Sequence, residues 1–230
     1  MAWPPPFVVR ISSRTKYGRL RVLPNTGLEV VLPLGRDPAT AAQIVNEHKE
    51  WITRTLKRVC GKAPENPESM VVPDHILLHG GIMRVPVVAA GLCAPRQDNA
   101  LMLRSRAGDM AAAAKEMQIW VKKYAARSLG EDVHALSREH GMPYSALRFR
   151  RQKSRWGSCT SRGALSLNVC LVFLPLDLAR HVILHELAHT RHCNHGPGFW
   201  KTLFAMEPDA LALDKRLRSA WRHVPAWMWL

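Results

Sequence analysis

Hydrophobic and polar residues alternate in three short stretches near the start of the chain. Phe7 to Ile11, Arg19 to Leu23 and Leu28 to Leu32 show the period of two that predicts strands, with Asn25-Thr26-Gly27 as a turn between the last two. The period then lengthens. From about Pro38 to Arg58, the residues Ile44, Val45, His48, Trp51, Ile52 and Leu56 form one stripe at helical spacing, with His48 read as a packed side chain. Residues 61 to 110 are rich in proline and glycine and hold only short apolar runs, such as Val71-Val72 and Val87-Val88, which predict a connection containing one or two strands. A helical pattern resumes at Ala111 through Met117, Trp120, Val121, Tyr124 and Leu129, and a second segment carrying Val133 and Leu136 closes at Gly141.

Between Gly163 and Leu174 the alternation returns, with Leu165, Leu167, Val169, Leu171 and Phe173 on one face and Ser166, Asn168 and Cys170 on the other. This predicts a half-buried strand, which at a sheet edge could pair with an extended peptide. Asp177, after Pro175, is a plausible cap for a helix that is apolar around most of its circumference through Leu178, Val182, Ile183, Leu184, Leu187 and Ala188. Polar residues interrupt it at Arg180, His181, His185, Glu186 and His189, so a buried helix with a single polar flank is expected. The fold class is α+β: an N-terminal β-rich portion packed on a helical core. The chain divides into 1–60, 61–110 and 111–230, unless all three form one compact domain. No internal repeat is present, and the cluster Trp221, Pro225, Trp227 and Trp229 is expected to pack back onto the core, with an exposed partner patch as the alternative.

The polar flank carries the chemistry. Residues four apart on a helix share a face, so His185 and His189 can present two imidazoles to one metal ion while Glu186 reaches the water it binds. The bare pattern also arises by chance, so its context matters. Two histidines compete for the third ligand. His192 continues the helical face but lies roughly 10 Å along the axis from His185, too far for ligand atoms about 2 Å from one ion. His195 requires the helix to stop and turn back, which Asn194, Gly196 and Gly198 allow through positive φ and Pro197 enforces. His195 is therefore preferred. A third option, an acid from Glu207 or Asp209, is disfavoured because Pro208 makes that segment a helix end rather than an interior. Three ligands with an adjacent glutamate suit a catalytic zinc site, which keeps one position open, better than a closed structural one. Zinc lowers the pKa of bound water towards about 7, and Glu186 would act as the general base. His181, one turn before His185, is read as a supporting residue or cleft wall.

Several segments together resemble the YgjP-like family of bacterial metallopeptidases, whose wider relatives include the SprT-like proteases. They are Lys153-Ser154-Arg155-Trp156-Gly157-Ser158-Cys159, the strand with Leu167-Asn168, the helix with His185-Glu186-Leu187-Ala188-His189, and Asn194-His195-Gly196-Pro197-Gly198-Phe199-Trp200. The N-terminal strands and helix and the pair Trp51-Ile52 also fit that family's layout, so the resemblance extends over most of the chain. The resemblance implies a zincin-like catalytic core, an active-site helix with an adjacent mixed sheet, in which His185, His189 and His195 hold one Zn2+ and Glu186 is the base. It also implies substrate-binding roles for Arg155, Trp156, Ser158 and Asn168, with support of the cleft as the alternative. Some relatives carry the label UTP pyrophosphatase, so a nucleotide is the alternative substrate to a polypeptide.

Composition bounds these readings. The chain has 230 residues, 47% of them hydrophobic, enough for a full core. Its five cysteines are scattered without a C-x-x-C pair, which points to reduced thiols; Cys159 and Cys193, near the site, are read as small buried thiols rather than ligands. The N-terminus lacks the pattern of a signal peptide and no apolar run approaches the roughly 20 residues that span a bilayer, so a cytoplasmic location without membrane contact is expected. Net charge is +15, raising the question of DNA or another polyanion as a partner. The densest basic run, Arg148 to Arg155, interleaves Phe149 and Trp156 and could contact phosphates while its rings stack on bases. A nucleic-acid-associated protein with a structural zinc is the third functional class.

Overall fold

The computed structural model describes residues 3–23, 27–59, 71–89, 101–105 and 108–230. Asn25 and Thr26 of the predicted turn lie outside them. The chain forms two compact units, Met1–Glu65 and Asn66–Leu230. A mixed α+β architecture holds in both.

In the first unit, β1 (Phe7–Ser12), β2 (Arg19–Leu23) and β3 (Gly27–Pro33) make a sheet ordered β1-β3-β2, with β3 parallel to β1 and antiparallel to β2. The central strand buries Leu28, Val30 and Leu32 completely, as its alternation requires. The single helix expected over 38–58 is two: α1 (Thr40–Glu47) and α2 (Lys49–Val59). Helical geometry fails at His48 (φ −110°, ψ 24°). The break removes His48 and Trp51 from the apolar stripe. Both are exposed, the His48 ring meeting the Ile44 carbonyl at 3.0 Å, while Val45, Ile52 and Leu56 complete the core.

The second unit contains β4 (His75–Leu78), β5 (Met83–Ala89) and β6 (Leu101–Leu103), then the 30-residue helix α3 (Met110–Glu139). The two helical segments expected here are one. Nine buried residues from Ala113 to Leu136 keep one face of α3 continuous, so Gly130 does not interrupt it. Asp109 caps the start by accepting from the Ala112 amide at 2.9 Å, and Gly141, at φ +60°, turns the chain just beyond the end.

Next come β7 (Ala146–Arg150), β8 (Gly157–Cys159) and β9 (Ala164–Asn168), ordered β7-β9-β8, with β9 parallel to β7 and antiparallel to β8. The predicted strand over 163–174 ends early. Asn168 accepts from the Cys170 amide at 3.0 Å and starts a 3-10 turn over Val169–Phe173, whose residues are all buried. A period of two cannot separate a strand from a tight turn buried on every side. As a result β9 is the central strand, and an edge lies at β8.

Helix α4 (Leu176–Ala188) begins directly after Pro175, with Asp177 in its first turn rather than at the cap and bonded there to Arg216. It is followed by α5 (Pro197–Met206) and α6 (Ala210–Leu217). The tail packs inward, as expected. Trp227 meets Phe173 edge-on, Trp221 stacks on Trp156 with ring centres 3.9 Å apart, and the Met228 carbonyl accepts from Arg151 at 2.7 Å. Among the described residues, no helix is long and apolar enough to cross a membrane.

Candidate metal centre

Helix α4 carries His185 and Glu186 in its last turn, and His189 caps its end. One helical turn separates the two histidines, so their rings stack edge to face with centres 5.1 Å apart. The chain then reverses before α5. His195, on that reversal, points its Nε2 back to 3.0 Å from Nε2 of His185 and 3.2 Å from Nε2 of His189. Phe199, fully buried on α5, packs against all three rings at 4.6 to 5.0 Å between centres.

The reversal is not built from left-handed residues, contrary to expectation. Asn194, Gly196 and Gly198 all avoid positive φ. The glycines make room instead: a Cβ at Gly198 would stand 3.0 Å from the His192 ring, and one at Gly196 would stand 3.0 Å from Asn194 Oδ1. His192 turns away from the cluster, its Nε2 3.0 Å from the Thr202 hydroxyl. Its carbonyl, however, lies 2.8 Å from His189 Nδ1. A carbonyl only accepts, so Nδ1 bears the proton and His189 Nε2 faces the cluster as a bare lone pair.

Burial works in the same direction. His185 is held neutral, its pKa pushed down to about 4 chiefly by desolvation and then by the neighbouring His189, against the charge of Asp214. His189 is lowered as well, again by burial. The ligand atoms of His185, His189 and His195 all lie within 4.8 Å of one another, a geometry that could hold a metal ion.

Glu186 lies on the same turn, only 7% exposed, and burial raises its pKa to about 7 despite the nearby charge of Arg155. Its Oε2 is buried without a hydrogen-bond partner. The side chain lies against β8, where a Cβ on Gly157 would come within 2.6 Å of its Cγ and Oε1. Glycine is therefore required opposite the carboxyl.

The four residues expected to contact substrate divide evenly. Arg155 and Ser158 line an open groove, the first exposed and the second half-buried. Trp156 is 8% exposed and stacked on Trp221, while Asn168 is fully buried and donates its amide to the carbonyls of Gln152 and Arg155, both at 2.8 Å. These two hold the 152–156 loop in shape and do not line the groove. Phe149, also expected to stack on bases, packs against the core.

A second cluster, His181, His185 and Asp214, shares His185. His181 is completely buried, with Nε2 3.1 Å from Asp214 Oδ1, so this group supports the first cluster from behind. Neither cluster includes Cys159, Cys193, Glu207 or Asp209. Cys193 is exposed rather than buried, and burial raises the Cys159 thiol to about 11. Gly157, Phe199 and Asp214 went unread as site residues. Only the quoted segments containing Gly157 and Phe199 offered any signal for them.

An α+β protein whose buried helix brings two histidines and a glutamate together with a third histidine has the layout of a metal-dependent hydrolase. Residues 16–220 match the family described as YgjP-like, metallopeptidase domain, so the chain belongs to that family and is a hydrolase of the metallopeptidase type. Among solved structures it is similar to the metallopeptidase zymogen of Pyrococcus abyssi abylysin, at 19% identity and a TM-score of 0.35, over 38% of this chain and 90% of that one. No curated protein matches it.

Proposed function

We propose that the protein is a zinc peptidase in which His185, His189 and His195 hold one ion and Glu186 is the general base. The reading is carried by one observation, three imidazole nitrogens converging beside a buried carboxyl oxygen that has no partner of its own. Imidazole nitrogen donors suit zinc, and the solvent-exposed side of His195 leaves room for water and substrate. A bound zinc ion would supply Lewis acidity towards water and towards the scissile carbonyl. Glu186 takes the proton of the attacking water and delivers it to the amide nitrogen as the C–N bond breaks. A pKa near neutrality suits both halves of that transfer.

The substrate is held as an added strand. Among the described residues no strand pairs with the outer edge of β8, and the face of β8 at Gly157 lies against Glu186. An extended polypeptide pairing there would carry its backbone past the carboxyl. Zinc analysis together with turnover by wild type and Glu186→Gln, on an unfolded protein and on nucleoside triphosphates, tests the proposal. One zinc per chain in both proteins, with proteolysis at least about 10²-fold slower in the variant, is the expected result. Pyrophosphate release without proteolysis would replace this reading with the nucleotide one.

A further inference from the structure

The outer face of the β7-β9-β8 sheet forms a groove of about 630 Å3. Strand register sets its floor: Arg148 pairs with Ser166 and Ser166 with Ser158, so the three lie in one row that ends at β8, the last strand of this sheet among the described residues. Arg150 lies two residues along β7 from Arg148, on the same face, and Arg155 joins the lining just before β8. Among the described residues no carboxylate lines the groove. Arg148, Arg150 and Arg155 are all exposed, and none forms an ion pair with a described carboxylate. Arg151 is different, being tied to the Met228 carbonyl.

Three guanidinium groups, none ion-paired among the described residues, around a serine floor can hold an anion. What matters is how the anion arrives. Among the described residues no aromatic ring lines the groove, since Trp156 is buried against Trp221 and Phe149 packs on the core, so nucleic-acid bases would find no stacking surface among them. A polypeptide added to β8 would instead turn every second side chain to the face that Ser158 occupies, over the groove. We propose that this groove selects polypeptide substrates carrying Asp or Glu at the positions that project onto the Ser158 side of β8. The proposal rests on the peptidase reading and deepens it: Arg148, Arg150 and Arg155 determine specificity for acidic segments.

Fluorescence anisotropy tests this without turnover. The zinc-loaded full chain with Glu186→Gln is titrated against a labelled extended peptide with glutamate at alternate positions, the same peptide with glutamine, and a single-stranded oligonucleotide of equal charge. The acidic peptide is expected to bind about 10-fold more tightly than its glutamine counterpart. That gap should fall to within about 2-fold when Arg148→Gln and Arg150→Gln are added, both exposed positions at which circular dichroism verifies the fold. Equal binding of the two peptides, an unchanged gap in the arginine variants, or tighter binding of the oligonucleotide with the same arginine dependence would each overturn the proposal. The peptidase reading fails separately, if wild type cleaves no unfolded protein while the anisotropy gap persists.

Discussion

Replacing Glu186 by glutamine should stabilise the metal-free protein at neutral pH while abolishing turnover. The carboxyl is buried with Oε2 unpartnered, and its pKa rises from 4.5 to about 7. A raised carboxyl pKa means that the native state binds more protons than the unfolded chain between those values, so stability falls as pH rises through that window. At 1.36 kcal/mol per unit, the ionised side chain costs the fold about 3 kcal/mol at pH 8 and nothing at pH 4. A glutamine carries no such slope. It buries its own amide at some cost, but that cost is the same at every pH and cancels when the two proteins are compared across the range. In a unit of this size, 1 kcal/mol moves the melting temperature by about 2 to 4 °C, so the wild-type-to-variant difference should widen by about 6 to 12 °C between pH 4 and pH 8. Urea melts of chelator-treated protein at several pH values give the same quantity as a free energy. His185 titrates in the opposite direction but is present in both proteins. Adding zinc should shrink the difference, because a cation beside the carboxylate offsets its desolvation. A difference that stays flat from pH 4 to pH 8 would refute the account of Glu186 as a carboxyl held out of water.

Gly157→Ala places a methyl group 2.6 Å from the Glu186 carboxyl and should cut turnover at least about 10²-fold while leaving zinc content at one per chain, as measured by elemental analysis and kinetics. Asp214→Asn removes the negative charge beside His185 and His181 while keeping an oxygen that can accept from His181, and should weaken zinc binding about 10-fold in a chelator competition, with the unfolding midpoint of the metal-loaded protein falling accordingly. Trp221→Ala unstacks Trp156 and opens space under the 152–156 loop. It should cost about 2 to 4 kcal/mol in urea unfolding, and a loss below about 0.5 kcal/mol would show that the tail does not support the loop.

The parts of the site that lie on one element were legible in advance. Helical spacing alone puts His185 next to His189, with Glu186 beside them, because the period of α4 is set by its backbone and not by its surroundings. His195 was within reach as well, since any third ligand from the adjoining segment had to return across a break in the helix. Other contributions come from elsewhere in the chain. Gly157 meets Glu186 through pairing of β8 with β9, and Asp214 reaches His181 through the packing of α6 on α4; no local pattern encodes either contact. The strand misread past Asn168 shows the complementary limit. An apolar alternation reports which residues are buried, and a 3-10 turn buried on every side satisfies it as well as a strand does.

The glycines after His195 make the distinction sharpest. A missing Cβ has two consequences, access to positive φ and room for a neighbour, and the sequence does not say which one the fold uses. Here it uses the second, at Gly196 and Gly198 beside the site and at Gly157 within it. Alanine at any of the three would therefore leave the backbone unstrained and act instead on the side chain that occupies the space: Asn194 Oδ1, the His192 ring, or the Glu186 carboxyl. The damage from such a substitution should scale with how far that neighbour can move. That favours tolerance at exposed Asn194 and intolerance at buried Glu186, whose position the chemistry depends on.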